Sequence, residues 1–146
     1  MTTSTHADLA LHILEETPDA VLYADREGVI RFWNEGARRI FGFTAEEAIG
    51  ASLDLIIPEK LRDRHWHGYH HVLETGSSRY STNLLSVPAL HKDGRQLSCE
   101  FSIVMIRDDV NIILGFASIM RDVTERWEKD RALRKKLAEL ESKKLD

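Results

Sequence analysis

The sequence is poor in the residue types and motifs from which covalent chemistry is built. Its 146 residues include a single cysteine, Cys99, so an internal disulfide and a cysteine-cluster metal site are excluded, and a reducing compartment is expected. The chain also has no phosphate-cradling glycine loop, no nucleophile elbow and no paired-carboxylate motif. We therefore predict a protein that is not an enzyme and has no catalytic residues.

Strong positive charge and long apolar runs are missing as well. The formal net charge is -4, whereas proteins that bind nucleic acid usually gather a basic face. The first residues lack the basic start and apolar core of a signal peptide, and no apolar run approaches membrane-spanning length. We expect a cytoplasmic protein that binds neither nucleic acid nor a membrane.

The residues that are present suit one globular domain, because 42% of them are hydrophobic and can form a core. Periodicity predicts a helix over residues 6–16, then five strands, with helices between the second and third. Asn34 and Thr44 are helix-start residues, and Gly42 and Gly76 are helix-stop residues. The predicted strands cover residues 20–24, 29–33, 80–90, 96–106 and 112–123.

This order of elements predicts an α+β fold. We expect a five-stranded antiparallel sheet with helices on one face, an N-terminal cap helix and a C-terminal linker helix. The predicted division is a cap helix over residues 1–16, a central domain over residues 17–124, and a charged helix over residues 125–146. The space between the sheet and its helices is the expected place for a ligand.

One helix, which begins near Pro58, carries a histidine on its apolar side. Leu61, His65, Tyr69 and Val72 recur at the spacing of a single helical face. An inward imidazole has to be bonded to something. It either hydrogen-bonds a backbone carbonyl as a core residue, or it is an axial ligand to a haem iron.

Several short motifs resemble the landmarks of the PAS sensor family, between about Leu14 and Glu125. The order of helices and strands agrees with that family too. The motifs are Pro18-Asp-Ala20, the turn from Asp25 to Gly28, Asn34, Gly42-Phe43, Glu46 to Gly50, Lys92-Asp-Gly94, and Arg121 to Glu125. The resemblance implies the PAS fold and a role in sensing, but a fold alone does not name a ligand.

Within that family, the chain is most similar to the haem-binding PAS domains of nitrogen-fixation oxygen-sensor kinases. The similarity runs from Pro18 to Gly94 without a gap and places His65 on the proximal haem ligand. It places His71 and Arg79 on positions that contact the haem propionates. The resemblance therefore implies haem b as cofactor, with His65 as the residue that binds its metal.

One position departs from the haem subclass. Leu85 stands where those kinases have an arginine that moves between bound oxygen and a propionate. Without this charged donor, bound oxygen has no charged hydrogen-bond partner, whereas carbon monoxide or nitric oxide depends less on such a partner. Phe101 and Ile103 are expected to make the distal side apolar. The full set of predicted cofactor-binding residues is Leu61, His65, Tyr69, His71, Arg79, Leu85, Phe101 and Ile103.

The main hypothesis is thus a signal-transduction sensor that binds haem b and responds to oxygen, carbon monoxide, nitric oxide or redox state. Two alternatives remain. One is a haem-free PAS module for dimerisation and signal transmission, and the other is a redox sensor that binds flavin without a covalent bond. A light-driven flavin adduct needs a cysteine in the His65 helix, which has none. We expect Cys99 to be a core residue.

The two predicted terminal helices both carry leucines or isoleucines that a single helix cannot bury. These are Leu9, Ile13 and Leu14 at one end and Leu133, Leu137 and Leu140 at the other. A second copy of the chain would cover both sets. We predict a homodimer whose output domain lies in a longer chain or in a partner protein.

Overall fold

A computed structural model describes residues 5–77 and 85–144. The helices are α1 (His6–Glu16), α2 (Glu35–Phe41), α3 (Ala45–Ala48), α4 (Arg62–Thr75) and α5 (Thr124–Lys144), with two 3-10 turns at Leu53–Ile56 and Glu59–Leu61. The strands are β1 (Ala20–Asp25), β2 (Ile30–Trp33), β3 (Leu85–Leu90), β4 (Gln96–Arg107) and β5 (Ile113–Asp122).

The strands form one antiparallel sheet in the order β2-β1-β5-β4-β3. The predicted α+β fold is confirmed, with α1 and α5 flanking the sheet and its helices. The first and last strands are neighbours and pair from Ala20 with Met120 to Asp25 with Gly115. The predicted start of the third strand, at residue 80, lies outside the described residues.

Local sequence signals explain where the short helices begin and end. The Thr44 hydroxyl accepts from the Glu47 amide while the Glu47 carboxylate accepts from the Thr44 amide, which is the predicted capping box. Gly42 and Gly76 take left-handed backbone conformations at the ends of α2 and α4, with φ of 85° and 71°. Other residues adopt this conformation only with strain, so both glycines are effective helix stops.

Asn34 does more than cap α2. It is only 1% exposed, and its Oδ1 accepts from the amides of Val21 and Ala37 at 2.8 and 2.9 Å. Its Nδ2 donates to the carbonyls of Leu14 and Asp19 at 2.7 and 3.0 Å. One buried side chain therefore joins the end of α1, the start of β1 and the start of α2.

The core is most completely covered where α2 and α3 lie against β1 and β2. Leu22, Ile30 and Phe41 are at most 2% exposed there. Trp33 packs against Phe41 with ring centroids 5.6 Å apart and donates its indole N–H to the carbonyl of Phe43. Cys99 of β4 is also buried, as predicted for a core residue.

Within residues 5–77 and 85–144, every helix is too short or too polar to cross a membrane.

Candidate functional site

Hydrogen bonds attach helix α4 to the rest of the fold along its length, and they include bonds from Arg62, its first residue, to the carbonyls of Ile57 and Asp54. Near its start, the Trp66 indole donates to the carboxylate of Asp54 at 2.7 Å. In its middle, the Tyr69 hydroxyl donates to the backbone carbonyl of Asp25. At its end, the Arg107 guanidinium of β4 donates to the carbonyl of Gly76 at 2.9 Å. These attachments hold the helix that carries His65.

His65 lies on the covered side of α4, as the helical spacing predicts. Its ring contacts two aromatic neighbours, Trp66 at 4.7 Å and Tyr69 at 5.7 Å between centroids. Its Nδ1 is buried and has no hydrogen-bond partner among the described residues. The carbonyl partner expected for an ordinary core histidine is therefore not found at this nitrogen.

Burial of His65 favours the uncharged form of its ring. Burial lowers the pKa of the imidazole below its usual value, and the nearby Asp54 carboxylate opposes this only in part. A neutral imidazole is the form that binds metals. Leaving a buried polar atom unpaired costs about 1–3 kcal/mol, so a ligand that occupied this nitrogen would be stabilised by relieving that cost.

The inner face of β4 changes from covered to partly open along its length. Leu97 and Cys99 are buried, whereas the next side chains on that face, Phe101, Ile103 and Met105, are only half-buried. All three pack against the edge of the core. They form an apolar surface on the side of the sheet that α4 also faces.

The other predicted site residues fall in different surroundings. Leu61 is half-buried at the start of α4, and Tyr69 is buried and packs on Phe116 of β5 at 4.8 Å between ring centroids. His71 is exposed. Leu85 begins β3, and its Cα pairs with that of Phe101. Arg79 lies outside the described residues.

Sequence reasoning missed Trp66, Asp54 and Arg107 as supports of α4. Trp66 had a usable signal, because an aromatic residue next to an inward histidine is well placed to pack beside it. Arg107 comes directly after the predicted fourth strand, residues 96–106, yet in the structure it ends β4 and donates to the carbonyl of Gly76. Its partner is brought close by the tertiary fold and is not visible in the sequence.

Within residues 5–77 and 85–144, no three histidine, cysteine, aspartate or glutamate side chains converge as a divalent-metal site requires. His67 and His71 therefore gain no third ligand within this part of the chain. A haem iron differs, because its porphyrin supplies four nitrogens and the protein needs to add only one or two ligands.

Comparison with known proteins gives consistent results. Residues 14–128 match the family model of the PAS fold. The chain is 29% identical to the sensor protein FixL of Bradyrhizobium diazoefficiens, over 95% of this chain and 26% of FixL. It is 23% identical to the oxygen sensor protein DosP of Escherichia coli, over 76% of this chain and 14% of DosP. The chain thus spans about a quarter or less of the length of these curated relatives.

A solved structure of an RNA-binding light-oxygen-voltage receptor superimposes with a TM-score of 0.77. The match covers 94% of this chain and 39% of that chain, at 18% sequence identity. A likeness at that level of identity shows a shared fold alone.

Proposed function

The chain belongs to the PAS family, and on that basis we propose that it is the non-catalytic sensor module of a signal-transduction protein and binds haem b through His65. The family resemblance derived from the sequence motifs is confirmed. The choice of haem is our proposal. So are the gas or redox signal, the dimer and an output domain beyond residues 1–146.

The observation that supports the proposal most directly is the unpartnered Nδ1 of His65. A histidine kept neutral by burial, with a ring nitrogen that bonds to nothing in the described residues, meets the first requirement of an axial ligand. No other histidine among the described residues has this combination. His67, His70 and His71 on the same helix are exposed, and their surroundings resemble a solvated helix face.

The predicted site residues fit a haem in part. Phe101 and Ile103 supply an apolar surface on β4, and apolar surroundings suit a porphyrin ring. His71 is exposed, which suits a residue that would meet a propionate at the solvent edge. When bound, haem b would supply an iron that takes up a diatomic gas or changes its oxidation state.

Tyr69 is less consistent with direct haem contact than the sequence predicted. Its ring is already packed on Phe116, and its hydroxyl is already bonded to Asp25. We therefore assign Tyr69 to the support of α4. The residues that would hold the haem are His65 as ligand, Phe101 and Ile103 as apolar contacts, and His71 and Arg79 as propionate partners.

A covalent flavin adduct is disfavoured by the only thiol. Cys99 lies on β4, and burial with a smaller effect of Asp122 raises its pKa to about 12. A thiol in that condition is a poor nucleophile. A haem-free module and a non-covalently bound flavin remain the competing functions.

The absorption spectrum of the purified chain after reconstitution with hemin decides among these functions. Stoichiometric haem gives a sharp Soret band, flavin gives two broad bands near blue light, and a haem-free module gives neither. His65→Ala should abolish stoichiometric haem uptake while its far-ultraviolet circular dichroism stays near that of the parent. His67→Ala and His70→Ala are matched controls on the exposed face and should retain the haem. Full retention by His65→Ala would refute the ligand assignment.

A further inference from the structure

We propose that Tyr69 is a positioning residue that couples the His65 end of α4 to the last strand, and through it to α5. The inference rests on the proposed function, since it concerns how occupancy at His65 is passed on. It adds a named link between the candidate site and the helix that leaves the domain.

Tyr69 is well placed to register a change at His65. It follows His65 by four residues, so the two side chains lie one turn apart on the same face of α4. Their ring centroids are 5.7 Å apart. Tyr69 is 9% exposed and is the buried residue of α4, so a shift of the helix moves this ring within a packed environment.

Outside α4, Tyr69 makes one hydrogen bond and one ring contact, and both are with the same part of the sheet. Its hydroxyl donates to the carbonyl of Asp25, whose Cα partner on β5 is Gly115. Its ring packs edge-on against Phe116, the next residue of β5, with an interplanar angle of 74°. Strands β1 and β5 are very close there, because a Cβ added to Gly115 would lie 2.1 Å from the carbonyl oxygen of Ala24. A pull on either contact therefore acts on β5.

Strand β5 leads almost directly into α5. It ends at Asp122, and α5 begins at Thr124. The Thr124 hydroxyl accepts from the Ser98 amide of β4 at 2.9 Å, and Arg126 forms an ion pair with Glu100. The first turn of α5 is thus bonded to the sheet. A displacement of β5 would therefore change the position of this first turn.

The other attachments of α4 differ in their relation to β5. Arg107 joins Gly76 to the end of β4, where Arg107 pairs through its Cα with Ile113 of β5. Trp66, by contrast, reaches Asp54 in a 3-10 turn, and this bond involves no strand of the sheet. Trp66→Phe is therefore a matched control, because it removes one side-chain hydrogen bond of α4 and keeps an aromatic ring, as Tyr69→Phe does.

Tyr69→Phe should leave the fold intact. The carbonyl of Asp25 also accepts from the Gly28 amide at 2.9 Å, so it keeps a partner when the hydroxyl is removed. The phenyl ring can still pack on Phe116. Because burial raises the pKa of Tyr69 well above its usual range, the hydroxyl remains a donor at all pH values at which the protein is handled.

The test measures hydrogen–deuterium exchange in the 146-residue chain loaded with hemin and reduced with dithionite, with and without carbon monoxide. In the parent we expect carbon monoxide to change exchange across residues 113–127. In Tyr69→Phe the Soret band and its carbon monoxide shift should be retained, while that exchange difference falls by at least half. In Trp66→Phe the difference should remain. An undiminished difference in Tyr69→Phe, or the absence of any difference in the parent, would overturn the coupling.

Failure of haem uptake is distinguishable from failure of the coupling. If the parent takes up no hemin, the proposed function fails, and the coupling is judged in the ligand-free chain by His65→Ala. That substitution should alter exchange at residues 113–127 when Tyr69 is present and have less than half the effect in a Tyr69→Phe background. Equal effects in the two backgrounds, or no effect in either, would refute the role of Tyr69.

Discussion

The two halves of the sheet differ in how completely their inner faces are covered. On β1 and β2, Leu22 and Ile30 are buried where α2 and α3 lie against the sheet, and the side chain of Asn34 makes four hydrogen bonds with backbone groups. On β4, Phe101 and Ile103 are only half-buried. The same architecture is closed on one side and partly open on the other.

This difference distinguishes a supporting region from the candidate binding region. Protein interiors are close-packed, so a fully covered sheet face has no room for a ligand. A half-covered apolar face on the side of the sheet that α4 also faces, with His65 on the covered side of that helix, has the composition of a ligand site. The change occurs within one strand, because β4 passes from buried Cys99 to half-buried Phe101 in two residues.

We expect the largest effect when a thiol reagent compares the buried part of β4, at Cys99, with its half-buried part, at Ile103. Cys99 should react very slowly with Ellman's reagent at pH 8, because its burial hinders the reagent and raises the pKa of the thiol to about 12. This makes its thiolate about a thousandfold scarcer than that of an ordinary cysteine. In a Cys99→Ala background, the thiol introduced by Ile103→Cys should react about a thousandfold faster than Cys99 does in the parent. Stopped-flow absorbance gives both rates.

The same two thiols can also be compared with hemin bound. Hemin should slow the reaction of the thiol introduced by Ile103→Cys and leave that of Cys99 almost unchanged. Similar rates for the two thiols without ligand would mean that β4 is equally covered at both positions, and the contrast between the halves would be wrong.

The next effect concerns the closed half. Asn34→Ala removes four hydrogen bonds of a buried side chain and leaves backbone groups of Val21 and Asp19 without this partner. We expect a loss of about 3 kcal/mol in the free energy of unfolding. Urea denaturation followed by circular dichroism measures it. Arg39→Ala, on the exposed side of α2, should cost at most about 0.5 kcal/mol. If Asn34→Ala lowered the free energy of unfolding as little as Arg39→Ala does, the hydrogen bonds of Asn34 would not support the fold.

Much of the closed half could be predicted from the sequence, because its signals are local. The cap at Asn34, the capping box at Thr44 and the stop at Gly42 depend on residues within a few positions of one another. The bonds from Asn34 to Leu14 and Val21 could not be predicted, since they depend on how separate elements pack. Local signals also do not reveal the order of the strands.

The candidate site was predictable only in part. The spacing around His65 predicted an inward face, and the structure buries its Nδ1. The spacing could not show that Tyr69 is already bonded to Asp25, 44 positions away in the chain. It also gave no sign that β4 opens after Cys99. Such features come from contacts between distant segments, which helical and strand periodicity do not encode.

A smaller effect is expected at the edge of the open half. Leu85 pairs through its Cα with Phe101. The resemblance to the haem subclass implies that Leu85 stands at the position where those kinases have an arginine. The ferrous, haem-loaded parent should therefore oxidise quickly in air, and Leu85→Arg should slow this about tenfold by restoring a charged donor. The decay of the ferrous Soret band measures the rate. Ser86→Arg places the same charge on an exposed neighbour and should have little effect. Equal rates in the parent and Leu85→Arg would mean that position 85 does not control the ligand.

The smallest effect concerns the flanking helices, which belong to neither half of the sheet. Leu9 and Ile13 of α1 and Leu137 of α5 are all more than half exposed, so a second copy of the chain would gain by covering them. Charged residues along α5 keep that association weak. We expect a concentration-dependent dimer that Leu137→Glu, or deletion of residues 1–16, weakens about fivefold, which is about 1 kcal/mol, without altering ligand binding.

Sedimentation velocity over a range of concentrations measures this equilibrium. Ala132→Glu adds the same charge on another side of α5 and should dimerise as the parent does, because Ala132 is well over 100° around the helix from Leu137. A parent that stays monomeric at high concentration would refute the dimer. Equal weakening by Ala132→Glu would assign the effect to net charge, and the leucines of α5 would then have no special part in the interface.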